Sequence, residues 1–147
     1  SLQLSGQRPH GAVLFAKTCL VCHAVQGRGG RVGPDLSGVA TRPKDVLLVD
    51  ILDPSRQITP DFMSYTVRTL AGEDLNGLIA SETAANVVLR RANEPDLTVL
   101  RRDISHLKAE GKSPMPEGLE EGLTQQDMAD LLEFLRQPDR ALLPVNP

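Results

Sequence analysis

Cys19, Leu20, Val21, Cys22 and His23 carry the residue types and spacing in this chain that are best suited to chemistry. Two thiols three positions apart, followed at once by an imidazole, form the pattern for covalent haem attachment. Each thiol must reach one vinyl group on the same edge of a porphyrin, and the turn between them sets that separation. The next residue, His23, then lies under the ring plane and can give one axial bond to iron. Competing chemistries fit less well. A dithiol redox pair wants a thioredoxin-like βαβ context, and none follows. A zinc site needs two further ligands, and only His10 and His106 remain as imidazole donors, with no third cysteine. The glycines at 27, 29, 30 and 33 do not make a phosphate cradle, because no strand precedes them and no Lys-Ser/Thr pair opens a helix after them. Both cysteines of the chain fall in the one motif, which argues against a chance cluster.

A low-spin electron-transfer haem fills both axial positions, so His23 needs a partner. The chain has three methionines. Met128 sits on the apolar stripe of a helical segment and reads as core, where thioethers fill gaps well. Met63 lies between Phe62 and Ser64 and is a secondary candidate. Met115 stands between Pro114 and Pro116, which restrict the backbone and remove competing amide donors, so Met115 is the expected ligand. His106 is the residual alternative, and His10, on the segment leading into the motif, reads as exposed or capping. Thioether ligation raises the potential relative to imidazole, and a filled sixth position shuts out oxygen and peroxide.

Composition sets the frame for these residues. A chain of 147 residues, 40% hydrophobic and 24% charged, is long enough for one domain with a real core. With no Trp, one Tyr and three Phe, the interior is short of large flat groups that a buried porphyrin would supply. The net charge of −3 comes without a basic stripe or aromatic platform, so nothing in the sequence suggests nucleic-acid binding. No run is long enough for a membrane helix and no signal peptide is present. Covalent haem attachment normally follows export, so the expected setting is periplasmic or otherwise exported, with a targeting segment removed or the chain a piece of a longer one.

The elements that must position the site read as follows. Residues 10–18 are helical, with Gly11 and Phe15 on one face. The glycines between 27 and 33 read as a flexible Ω-like loop, and Pro34 then fixes the backbone beside the histidine. Residues 43–52 read as a largely buried helix with Thr41 as its cap, stopped by Pro54. From 64 the periodicity changes to alternation. Residues 64–70, 74–81, 86–92 and 97–102 read as four strands of an antiparallel meander, its packed side offered by Tyr65, Val67, Leu75, Ile79, Val87, Leu89 and Val99. A loop through Met115 follows. Thr124 and Asp127 then open a last helix in a capping-box-like start, with Met128, Leu131, Leu132, Phe134 and Leu135 as its stripe. Residues 138–147 read as a C-terminal extension of little consequence.

Gly11, Phe15, Cys19, Cys22 and His23, the Gly33-Pro34-Asp35-Leu36 run, Met115-Pro116, and the closing Leu131 and Phe134 together resemble a class I cytochrome c. That resemblance implies crossed first and last helices, with Gly11 allowing close approach of Phe15, Leu131 and Phe134. It also implies that the Pro34 carbonyl orients His23. The whole string is similar to the haem-binding domain of the Pirellula/Verrucomicrobium type. The matching stretches are Gly33-Pro34-Asp35-Leu36, Ile51-Leu52-Asp53-Pro54-Ser55-Arg56, Gly77-Leu78-Ile79 and Ser113-Pro114-Met115-Pro116-Glu117-Gly118-Leu119, across nearly all of residues 10–137. The resemblance implies a domain at the C-terminus of long exported proteins, behind propeller or dehydrogenase-like modules, and it places Arg56 near the haem edge, where it could pair with a propionate.

The expected fold is therefore mainly α, cytochrome c-like helices around one covalent haem c, within a single domain over 1–147 that carries an inserted β-sheet at 64–107. The expected function is one-electron transfer, without substrate turnover, to a redox partner protein or a fused module. Two rivals stand beside it. One is a haem peroxidase or gas sensor with an open sixth site; the other is a docking module with a structural haem.

Overall fold

The computed structural model describes residues 1–144. Helix α1 (Arg8–Thr18) carries Pro9 in its first turn, where the missing N–H would have had no intrahelical partner in any case. Helix α2 spans Lys44–Leu52 and helix α3 spans Gln125–Arg136. The capping box that opens α3 is present in full: the Thr124 hydroxyl accepts from the Asp127 amide, and the Asp127 carboxylate accepts from the Thr124 amide at 2.9 Å. Met128, Leu131, Leu132, Phe134 and Leu135 are buried, as their spacing predicts.

Helices α1 and α3 cross at Gly11. A Cβ there would collide with the backbone carbonyl of Asp130 and stand 2.9 Å from the Cβ of Phe134, so only glycine permits this approach. Phe15 and Phe134 are fully buried at the crossing with ring centroids 5.3 Å apart, within the range of favourable tilted aromatic pairs. Helix α2 lies against α3 through Leu47 and a 2.5 Å pair between Lys44 and Glu133. It is less buried than its composition predicts, since Leu47 alone is buried and Leu52 is exposed. Pro43, not Thr41, occupies its N-cap.

The other half of the chain is a sheet. A small hairpin, β1 (Ala24–Val25) and β2 (Arg28–Gly29), follows the cysteine motif directly. The larger sheet contains β3 (Tyr65–Thr69), β4 (Asp74–Glu82), β5 (Asn86–Arg90), β6 (Leu97–Leu100) and β7 (Ile104–Ala109), antiparallel throughout and ordered β6-β5-β4-β3-β7. Although β4 shifts register against β5 between Ile79 and Ser81 and buries Leu78 beside Ile79, four of these strands are those that the alternation in the sequence predicts. The fifth, β7, departs from it because Ser105 is an extra residue: Thr69 pairs with Ile104 but Arg68 pairs with His106. That bulge puts Ile104 and Leu107 three apart, which hides the period of two. The Ser105 hydroxyl donates to the carbonyls of Arg68 and Thr69 across the gap.

Val67, Val87, Leu89 and Val99 are buried on one side of this sheet, with Leu75, Ile79, Leu97, Ile104 and Leu107 packed against them. No helical residue joins that cluster. Residues from both edge strands, β6 and β7, belong to this one cluster. Tyr65, expected on the packed side, is half-buried and outside the cluster.

The expectation of a mainly α fold does not hold. Helix accounts for 31% of the structure and strand for 23%, and the five-stranded sheet owns a separate hydrophobic core. The physical reason is that apolar residues of β3, β4, β5, β6 and β7 pack on one another in one cluster to which no helix contributes. The C-terminal segment is also more than an extension. A 3₁₀ turn (Arg140–Leu142) delivers Leu143 into the helical core at 3% exposure; residues 145–147 lie outside the described residues.

Candidate haem-binding site

The cysteine motif continues from the C-terminal end of α1. The amides of Cys19 and Leu20 both donate to the Phe15 carbonyl, at 2.8 and 2.9 Å, and the amides of Cys22 and His23 donate to the Cys19 carbonyl, at 3.1 and 2.9 Å. One further turn thus holds both thiols and the imidazole in a fixed relation to the helix. The thiols are free and half-buried. Burial, with the neighbouring Cys22 adding to it, pushes the Cys19 thiol up to about 12, and burial raises Cys22 as well. A redox dithiol needs the opposite shift.

The glycine-rich stretch after the motif is an ordered hairpin rather than a flexible loop. Val25 pairs with Arg28 across Gln26 and Gly27, both at positive φ, the signature of a type I′ turn whose twist suits two antiparallel strands. The return strand folds back on the motif: the amide of Gly30 donates to the Leu20 carbonyl at 2.8 Å, and those of Val32 and Gly33 donate to the Cys22 carbonyl. Gly33 lies flat against the His23 ring, where a Cβ would stand only 2.6 Å from Nδ1.

That approach brings Pro34 into place. Nδ1 of His23 is 2.9 Å from the Pro34 carbonyl oxygen. A carbonyl can only accept, so Nδ1 carries the proton and Nε2 is left with its lone pair. Burial lowers the His23 pKa and the Pro34 bond opposes it, with a net lowering. The imidazole is therefore neutral near pH 7, oriented, and able to donate to a metal.

Of the other expected site residues, Met115, Arg56 and Met63 fall in segments joined by hydrogen bonds beside the start of β3 and the end of β7, whereas Met128 and His106 lie elsewhere. Met115 is half-buried in the loop after β7; its amide donates to the Ser113 hydroxyl at 3.1 Å, and the Ser113 amide donates to the Ser55 hydroxyl at 3.2 Å. Arg56, next to Ser55, is exposed and makes no ion pair among the described residues. Met63 is also half-buried, and its neighbour Ser64 pairs with the same loop, donating to the Lys112 carbonyl and accepting from the Glu110 amide. Met128 is in the helical core. His106 is exposed on β7 opposite Arg68.

Ser55 and Ser113 were not among the residues expected at the site. A serine two positions before Met115 is a local signal for a hydroxyl-to-backbone turn, but nothing local points from Ser113 to Ser55. Asp130 was missed as well. It is a buried carboxylate, 2% exposed, that accepts from the Gln7 amide, Gln126 and His10, each within 2.8 Å. Burial pushes its pKa up, and these three hydrogen bonds more than offset that, holding it below the usual carboxylate value. His10 is thus exposed and tied to Asp130 at the start of α1.

The residues present fit a covalent porphyrin. Two thiols stand on one turn, a lone pair on His23 Nε2 is fixed beside them, and Leu20, Leu36, Leu48 and Ile51 present half-buried apolar surface packed, as Cys19 is, against the helical core. Among the described residues no three His, Cys, Asp or Glu side chains gather as a metal cage, which leaves a zinc reading short of donors. No helix among them is long and apolar enough to cross a membrane.

Comparison with known proteins bears on the first part of this site. No curated protein matches the chain. Residues 10–58, which hold most of α1, the cysteine motif, the hairpin, Pro34, α2 and Arg56, match the family model described as Cytochrome c. The match supports a cytochrome c relationship for that segment and, with it, haem-based electron transfer.

Proposed function

We propose that the chain is a one-electron carrier domain, the redox module of a larger exported protein, in which Cys19 and Cys22 would hold one haem c covalently and His23 and Met115 would donate to its iron. Haem bound there supplies cycling between ferric and ferrous iron. The protein's own residues hold and orient it. Cys19 and Cys22 fix the ring edge, Pro34 keeps the His23 imidazole in the tautomer that can ligate, and the half-buried leucines exclude water from one side. Met115 would donate its thioether to the iron and keep small ligands from it, so the chemistry supplied would be electron transfer to a docked protein or fused module without substrate turnover. Arg56 is placed by sequence next to Ser55, and its guanidinium, without an ion pair among the described residues, would suit a propionate.

The observation that carries this reading is the 2.9 Å bond from His23 Nδ1 to the Pro34 carbonyl, which leaves Nε2 as a ready iron ligand on the attachment turn. The test is an optical spectrum and redox titration of the haem-loaded protein, then of Met115→Ala and Met63→Ala. We expect a low-spin ferric spectrum with the weak long-wavelength band of iron bound by a thioether. Met115→Ala should keep its covalent haem, lose that band and fall in potential, while Met63→Ala keeps both. The reverse pattern would move the ligand to Met63, and an open sixth site in the parent would favour peroxide or gas chemistry instead.

A further inference from the structure

We infer that Ser55 and Ser113 are positioning residues for Met115, a relay of two hydroxyls that ties the backbone of the ligand loop to the end of α2. The inference rests on the Met115 ligation proposed above. Of residues 113–116, Pro114 and Pro116 have no amide hydrogen, so Ser113 and Met115 hold the only two N–H groups. Both are engaged in the relay, the Ser113 amide with Ser55 Oγ at 3.2 Å and the Met115 amide with Ser113 Oγ at 3.1 Å. The first of these spans 58 residues of chain. Among the described residues, no other hydrogen bond links residues 113–116 to the helical half that carries the cysteine motif.

The loop has a second anchorage, but on the sheet. The Ser64 amide donates to the Lys112 carbonyl, and the Glu110 amide donates to the Ser64 carbonyl, both at 2.9 Å. Those bonds hold the loop's entrance to β3 and leave residues 113–116 to be placed by Ser55. The helical core and the sheet core are separate hydrophobic clusters. A ligand loop hung only from the sheet would move with it, whereas the Ser55 hydroxyl references Met115 to the body that holds His23. A thioether preset in this way competes with an added ligand without first having to order its loop. Once the tether is cut, open loop states become more populated and the added ligand binds more tightly by that factor.

The test uses the ferric, haem-loaded protein and measures imidazole binding as it replaces the thioether band. Ser55→Ala is expected to raise imidazole affinity about threefold to tenfold, the scale of one neutral hydrogen bond. Ser55→Thr, which restores the hydroxyl, should return it to within about twofold of the parent. Ser113→Ala keeps the amide that reaches Ser55 but removes the acceptor for Met115, and should shift affinity in the same direction. Deuterium exchange should speed up at the Ser113 amide in Ser55→Ala. Lower thermal stability with unchanged imidazole affinity in both alanine variants would overturn the positioning role and leave Met115 ligation standing. A parent protein without the thioether band would overturn both.

Discussion

Replacing Gly11 with alanine is expected to destabilise the protein, although it improves the intrinsic preference of α1. In an exposed helix interior the change would gain about 1 kcal/mol. Here the added methyl meets the Asp130 carbonyl group and the Phe134 Cβ. The obstruction is backbone, not the end of a flexible side chain, so α1 and α3 must separate. Forcing a methyl into a packed contact costs ~1–3 kcal/mol. Separation also loosens the Phe15–Phe134 ring pair, worth ~0.5–1.5 kcal/mol beyond its buried area. It lengthens the 2.7 Å bonds that join Gln7 and His10 to Asp130. Against the propensity gain, the net loss is about 1–3 kcal/mol. For a chain of this size each kcal/mol lowers the midpoint by ~2–4 °C, so thermal or urea unfolding of the haem-loaded protein resolves it. Val13→Ala, on the same helix but 50% exposed, should stay within about 0.5 kcal/mol of the parent. A Gly11→Ala protein more stable than the parent would refute the close crossing.

Asp130→Asn should lower stability at neutral pH and flatten the acid limb of a stability–pH profile. The folded carboxyl lies below its ordinary value of 3.8, so its contribution is present above that value and lost as pH falls through the folded pKa; coincident acid limbs in parent and variant would contradict this. Thr124→Ala removes the α3 capping box and should cost about 1 kcal/mol in urea unfolding. No loss beyond error would mean that the box is dispensable. Arg56→Ala should lower the midpoint potential by removing a positive charge from a propionate, and an unchanged potential would return Arg56 to the role of a solvated side chain.

Much of this protein is legible in local sequence because its signals are local in the chain. The cysteine motif is five consecutive residues. The Thr124–Asp127 box spans one helical turn. Strands β3 to β6 show alternation within a few residues, and the Phe15 and Phe134 faces follow helical spacing. Where sequence reading failed, a distant partner was deciding. Gln26 and Gly27 make a turn instead of a flexible loop because the return strand bonds to Leu20 and Cys22. β7 forms because β3 offers it an edge that tolerates a one-residue bulge. Leu143 is buried because the α1–α3 pair has surface to receive it.

From the order of residues alone come the attachment chemistry, the histidine that would ligate, the capped last helix and the presence of a sheet, each set by covalent spacing or by periodicity. Tertiary structure decided the rest. It made the sheet a body with its own core, gave His23 its tautomer through Pro34, and gave Met115 an anchor at Ser55. These depend on hydrogen bonds and packing between segments far apart in the chain, which no local pattern encodes.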